Sequence, residues 1–249
     1  MKPDFLSLPD RRLAYQRLIG DPNGPGIVFL GGYASDMSGT KASFLAERCA
    51  DEDLSFLRFD YRGHGCSSGD FNSCVLGDWL EDACAAFDQL TQGKQILIGS
   101  SMGGWLALLL ARARPERIKA MIGIAAAPDF TEELVWKNLT EEQKAQLERD
   151  GFIPDETSPP DQPFVMTRRL IEEARQHLLL GAEIKLDCPL HLLQGLNDEE
   201  VPWRYALRIL ERVSGSDARV TLIKDGDHRL SRPKDLALLW NAVREFAGV

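Results

Sequence analysis

The chain has 249 residues, 44% of them apolar, which is enough for one substantial core. Its formal net charge of −9 opposes the basic footprint that nucleic acid demands, and no run reaches the ~18 consecutive apolar residues of a membrane span, so neither partner is expected. The five cysteines, at 49, 66, 74, 84 and 188, form no C-x-x-C pair, which argues against a disulfide framework or a zinc site and predicts buried, reduced thiols.

In chain order, the opening Met1-Lys2-Pro3-Asp4-Phe5 lacks the basic-then-apolar pattern of a signal peptide and carries an early acid, so a cytoplasmic location is expected. Phe5 to Ile19 reads as a polar-edged hairpin. Short apolar runs then alternate with amphipathic ones. Strands are predicted over Ile27–Leu30, Phe56–Phe59, Gln95–Ile98, Met121–Ala127, Leu190–Leu193 and Val220–Ile223. Helical patterns cover Thr40–Cys49, Leu76–Leu90, Gly103–Ala113, Tyr205–Val213 and Leu236–Phe246. Continuous apolar strands separated by helices imply a doubly wound, mostly parallel α/β sheet. From about 128 to 187 the rhythm breaks. No strand is evident there, and charged helices over Thr140–Arg149 and Thr167–Leu180 flank the Pro-rich Pro154–Pro163. Roughly sixty residues exceed an ordinary αβ connection, so an inserted helical cap on a single domain spanning 1–249 is expected.

Gly99-Ser100-Ser101-Met102-Gly103-Gly104 lies between the strand ending at Ile98 and the helix that follows. G-x-S-x-G at such a junction needs small residues two before and two after the serine, where Cβ atoms would clash in a tight, strained turn. Only Ser101 has glycines at both offsets. The following helix offers Met102 N–H and a favourable dipole to a developing oxyanion. The second donor is expected from Gly31-Gly32-Tyr33-Ala34-Ser35, with the backbone N–H of Tyr33 as candidate.

A serine hydroxyl needs a base to take its proton. His64 precedes the nucleophile, His177 lies in the cap and His191 lies within a strand; His228, in Gly226-Asp227-His228 after the final strand, fits the order Ser…Asp/Glu…His. The orienting acid is sought between Ser101 and His228. Asp198, Glu199 and Glu200 follow the strand Leu190–Leu193, and Asp198 leads; Asp129 follows the strand before and is the rival that spacing leaves open.

Taken together these motifs resemble the α/β-hydrolase superfamily across nearly the whole chain. Gly31-Gly32-Tyr33 resembles its oxyanion strip and Asp60-Tyr61-Arg62-Gly63-His64-Gly65-Cys66-Ser67 its D-x-R-G-x-G-x-S turn. Gly195 to Pro202 resembles its G-x-x-D-x-x-V-P acid loop, which implies Asp198 over Asp129, and Asp227-His228 its histidine loop. Ser38-Gly39-Thr40-Lys41, Trp105 after the elbow, Val201-Pro202-Trp203 and Arg229 resemble a narrower branch, the acyl-protein thioesterases that also cleave acyl glucuronides. The resemblance implies a small acyl ester or an acylated protein as substrate, an acyl-enzyme on Ser101, and no metal or organic cofactor.

Within the cap, Phe130, Leu134, Trp136 and Phe164 are candidates to wall an acyl pocket, and Lys137, Arg168 or Arg169 to meet a carboxylate. Trp105 and Trp203 read as packing residues. Other chemistries of the same triad (C–C bond hydrolysis, peptide cleavage, perhydrolysis) and a non-catalytic binding module are the alternatives.

Overall fold

The computed structural model describes residues 2–155 and 164–249. The hairpin forms as β1 (Asp4–Ser7) and β2 (Arg12–Leu18). Then follow β3 (Gly26–Leu30), α1 (Thr40–Asp51), β4 (Phe56–Phe59), α2 (Leu76–Leu90), β5 (Gln95–Ser100), α3 (Met102–Ala113) and β6 (Ile118–Ile124). The segment expected to be a cap contributes α4 (Glu141–Asp150), β7 (Phe152–Pro154), β8 (Val165–Thr167) and α5 (Arg168–Ala174). The chain closes with β9 (Leu190–Gly195), α6 (Arg204–Arg212), β10 (Ala218–Ile223) and α7 (Pro233–Ala247).

The main sheet has eight strands in the order β1-β2-β4-β3-β5-β6-β9-β10. β1, β2 and β4 pair antiparallel in turn, and every other pairing is parallel. Alternation along each strand explains its two-sided burial. Val28, Leu30, Leu57, Leu97 and Leu192 enter one core with α2, α3 and α6, while Ile27, Phe29, Phe56, Ile96 and Leu193 enter the other with α1 and α7. Parallel strands carry every following loop to one edge, where a site is assembled from distant sequence.

Three local readings are corrected. The expected strand Met121–Ala127 lies three residues earlier, because Ala125 takes φ 46 and the buried alanines after Ile124 leave the sheet to pack beneath the loop that follows β5. The span 128–187 does hold strands: β7 and β8 pair antiparallel with Ile153 opposite Met166, too short to leave a periodic signal. The helix expected to reach Leu180 stops at Ala174 and gives way to a tight turn at Arg175–His177, since the amides of Leu179 and Leu180 are taken instead by the carboxylate of Asp129, at 2.8 Å each. Thr140 opens α4 with a reciprocal cap, its hydroxyl accepting from Gln143 N (3.1 Å) while the Gln143 side chain accepts from Thr140 N (3.0 Å). Of the Pro-rich stretch, residues 156–163 lie outside the described residues.

All five cysteines are unpaired; Cys49, Cys74 and Cys188 are buried as expected, whereas Cys66 is exposed. Trp79 and Trp105 are wholly buried, and each indole donates to a carbonyl, of Arg62 at 3.2 Å and of His177 at 3.0 Å.

Candidate active site

Ser101 stands between β5 and α3 with φ 54 and ψ −120, a conformation that side-chain-bearing residues rarely adopt. The surroundings over-determine it. Ser101 N–H donates to Ile124 O (2.9 Å), and its carbonyl accepts from Gly104 N (2.8 Å) and Ala127 N (3.1 Å). A Cβ on Gly99 would lie 2.3 Å from Gly103 O, and one on Gly103 would lie 2.1 Å from Leu30 O. Both glycines of the motif are therefore sterically required. Gly104, which the motif does not fix, is equally constrained, by Ala126 at 2.5 Å.

The loop after β3 lies against this turn: a Cβ on Gly32 would be 3.4 Å from Ser101 Cβ. Neither Tyr33 N–H nor Met102 N–H donates a hydrogen bond among the described residues. For Met102 the reason is its place in the first helical turn, which has no carbonyl behind it. Met102 N–H follows the serine directly, and Gly32 brings the loop that carries Tyr33 against it.

Asp198 and His228 meet at the same edge. β9 and β10 are neighbours, and their loops interlock where Asn197 N donates to Gly226 O (2.9 Å); Gly195 has no room for a Cβ, which would fall 2.3 Å from that carbonyl. His228 Nδ1 lies 2.9 Å from Asp198 Oδ2 and 3.1 Å from Oδ1. The buried carboxylate also accepts from Glu200 N (3.0 Å) and Val201 N (2.8 Å) at Oδ1 and from Gln194 Nε2 (2.9 Å) at Oδ2. Lys41 Nζ donates to Arg229 O (2.5 Å), tying the start of α1 to the histidine loop, and burial pushes its ammonium down to about 8. The Ser101 hydroxyl is half-buried and forms no hydrogen bond among the described residues; His228 Nε2 instead lies 3.5 Å from Glu200 Oε2. Catalytic contacts of this kind often tighten only around substrate.

Gln194 is the residue that sequence reasoning missed. Buried on β9, it donates to Asp198 Oδ2 and to Val201 O (3.0 Å) while its own Oε1 has no partner. The reverse amide orientation would set oxygen against two acceptors, so this one is fixed by the network. Its position four residues before the acid was the available signal.

The rivals have other work. Asp129 (φ 61) holds the chain end beyond α5, as described above, and burial pushes its carboxyl up. His177 bonds Glu173 Oε1 (2.8 Å) and His191 bonds Thr221 Oγ1 (2.8 Å), neither at the serine. His64 is buried among Tyr61, Phe71 and Trp79, with Nδ1 3.2 Å from Arg62 O and Nε2 unpartnered. Burial pushes its imidazole down to about 4 from 6.5, opposed by the hydrogen bond to the Arg62 carbonyl and by the charge of Asp36. The unfolded chain therefore binds a proton that the folded chain refuses between those values, so the contribution of this histidine to stability is constant above pH 6.5 but falls as pH drops towards 4. Unfolding in denaturant at pH 7 and pH 5 should show wild type losing about 2 kcal/mol more than His64→Phe; equal losses would contradict the assignment of a neutral, caged imidazole.

The cap-side candidates divide. Phe130 faces Tyr33 (ring centroids 5.8 Å apart) and Trp105 (5.9 Å), and Phe164 faces Phe71 (4.7 Å), which in turn touches Tyr33 (4.9 Å). These rings are continuous with the loop beside Ser101, and Tyr33 Oη reaches Val165 O (3.4 Å) in β8. Trp136 packs on the same hydrophobic cluster but makes none of these ring contacts, and it lies under Arg175 (4.9 Å) and Lys144 (5.7 Å). The cations expected to meet a carboxylate are engaged: Lys137 with Glu133, Arg168 with Glu148 and Glu172, Arg169 with Ser73 O. Among the described residues no group of three or more His, Cys, Asp or Glu side chains is placed to hold a metal ion.

Comparison with known proteins gives a consistent picture. Residues 25–165 match the family model described as the alpha/beta hydrolase fold. Over 239 residues the chain is 39% identical to the bovine "Palmitoyl-protein thioesterase ABHD10, mitochondrial", covering 94% of this chain and 76% of that one. The solved structure of mouse alpha/beta hydrolase domain-containing protein 10 superposes with a TM-score of 0.89 at 38% identity over 98% of both chains. A protein of known structure from Agrobacterium vitis S4 gives 0.92, also at 38% identity, over 98% of this chain and 97% of that one. The bovine relative's name places it in mitochondria, which overturns the cytoplasmic location expected from the opening residues; the composition of so few residues does not report a compartment. No helix among the described residues is long and apolar enough to cross a membrane.

Proposed function

Because the chain belongs to the α/β-hydrolase family and is a hydrolase, we propose that it cleaves acyl thioesters or carboxylic esters through Ser101, His228 and Asp198. The single observation that supports this most is the strained Ser101 elbow, set at the same sheet edge as the buried Asp198–His228 pair. The thioesterase name of the relatives favours a thioester over an oxygen ester.

On this reading His228 Nε2 takes the Ser101 proton as Oγ attacks the acyl carbonyl. Tyr33 and Met102 N–H groups hold the oxyanion, and each such donor contributes about 2.7–4 kcal/mol in related sites. His228 then protonates the departing thiol or alcohol, and water repeats the sequence on the acyl-enzyme. Asp198 fixes the imidazole tautomer and steadies the imidazolium. The segment from about 128 to 187 is the proposed cap, with Phe130 and Phe164 joining Tyr33 in an apolar wall for the acyl chain. Trp136 packs on the same hydrophobic cluster without a ring contact to Tyr33, Phe130 or Phe164, and a glucuronate would meet Lys137 or Arg168 in competition with their ion pairs to Glu133 and to Glu148 and Glu172. No metal or organic cofactor enters any step.

The test is a panel of S-palmitoyl and S-octanoyl peptides, p-nitrophenyl esters, an acyl glucuronide, unmodified peptides and a β-diketone. Thioesters should give the highest kcat/KM, with measurable turnover of p-nitrophenyl esters. Turnover of the diketone or peptide alone would place the triad in a different reaction.

A further inference from the structure

The acid loop leaves one charged group with no role in the chemistry above. Glu200 Oε2 lies 3.5 Å from His228 Nε2, the imidazole atom that passes a proton to the departing group. Its position follows from the loop, since Asp198 Oδ1 accepts from Glu200 N (3.0 Å) and fixes that backbone, leaving the Glu200 side chain mostly exposed (65%). Among the described residues no Lys or Arg is within ion-pair distance of this carboxylate, so the His228 imidazole, when protonated, is its ion-pair partner. Glu199 and Asp227 are exposed in the same two loops, and the exposed Arg229 is the cation nearest in sequence to His228.

We propose that Glu200 selects substrates by the charge of the leaving group, disfavouring anionic thiols and favouring neutral or cationic ones, such as a cysteine in a neutral or basic peptide. The inference rests on the reading of His228 as the acid that protonates that group. The cause is electrostatic. A unit charge a few ångströms from the departing sulfur's substituents repels an anion through partly solvated space, and this effect is felt as the substrate approaches and as the thiol leaves. It is local, unlike the net charge of −9, so it is removable by one substitution.

The experiment compares octanoyl thioesters of three thiols with the same acyl chain: N-acetylcysteine (anionic), N-acetylcysteine amide (neutral) and thiocholine (cationic). Wild type, Glu200→Gln and Glu200→Lys are assayed for kcat/KM, with ratios between substrates taken within each protein to cancel differences in thiol reactivity. The neutral-to-anionic and cationic-to-neutral ratios are expected to fall about 3- to 10-fold in Glu200→Gln and further in Glu200→Lys, and to shrink in wild type as salt is raised. Ser101→Ala separates the two levels of the argument. Turnover that survives in Ser101→Ala, or no turnover of any of the three by wild type, removes the underlying reading and the proposal with it. Ser101-dependent turnover with the same ratios in wild type and Glu200→Gln overturns the proposal alone.

Discussion

Ser101→Ala is expected to lower kcat on S-octanoyl peptides by on the order of 10⁵- to 10⁶-fold, leaving only what the backbone donors and substrate binding supply. The substitution is a clean one. Alanine keeps the Cβ and therefore the same strain at φ 54, and the bonds that fix the turn, to Ile124, Gly104 and Ala127, are all made by backbone atoms. The removed hydroxyl has no hydrogen-bond partner among the described residues, so the folded protein loses almost nothing and its thermal midpoint should stay near wild type. A large loss of kcat with unchanged stability isolates the nucleophile; a loss below 100-fold would move the chemistry to another group.

Asp198→Asn is the second large effect, about 10⁴-fold in kcat. Every position around this carboxylate is a donor: Glu200 N and Val201 N at Oδ1, Gln194 Nε2 and His228 Nδ1 at Oδ2. An amide cannot satisfy all of them. With its NH₂ at the Oδ2 position it opposes the Gln194 amide and drives the imidazole to the tautomer that carries hydrogen on Nε2, where it cannot take a proton from serine. Turned the other way it leaves two backbone N–H groups without an acceptor, at about 1–3 kcal/mol each. Asp129→Asn provides the contrast. Its oxygens hold the amides of Leu179 and Leu180, so the variant should lose stability while kcat falls less than about 10-fold. Equal kinetic damage from both substitutions would contradict the assignment of Asp198 as the orienting acid.

Much of this architecture was legible in the residues because its constraints are local. Gly99 and Gly103 announce the elbow by the clashes they avoid, and the order of Ser101, Asp198 and His228 follows strands that deliver their loops to one edge. The polar-edged hairpin expected over Phe5–Ile19 forms as β1 and β2. What was not legible depends on long-range packing. The run through Ala127 reads as strand by hydrophobicity alone, yet the chain leaves the sheet at Ala125 because those alanines are needed under Ser101. β7 and β8 are only three residues long and give no period. Trp136 has the composition of a pocket residue, and its cation contacts with Arg175 and Lys144, which come from other turns of the chain, leave no signal in its own segment. Gln194 carries no motif beyond its place four residues before the acid, and its hydrogen bond to the carboxylate depends on how the strand and acid loop fold together.

The most direct test of the central claim is labelling with a fluorophosphonate, which reacts only with a serine whose proton a neighbouring base removes. One adduct per chain is expected, mapping by mass spectrometry to Ser101 rather than to the adjacent Ser100, absent in Ser101→Ala and much slower in His228→Ala. Stoichiometric labelling of a different residue, or no labelling of a preparation that still hydrolyses thioesters, would contradict it.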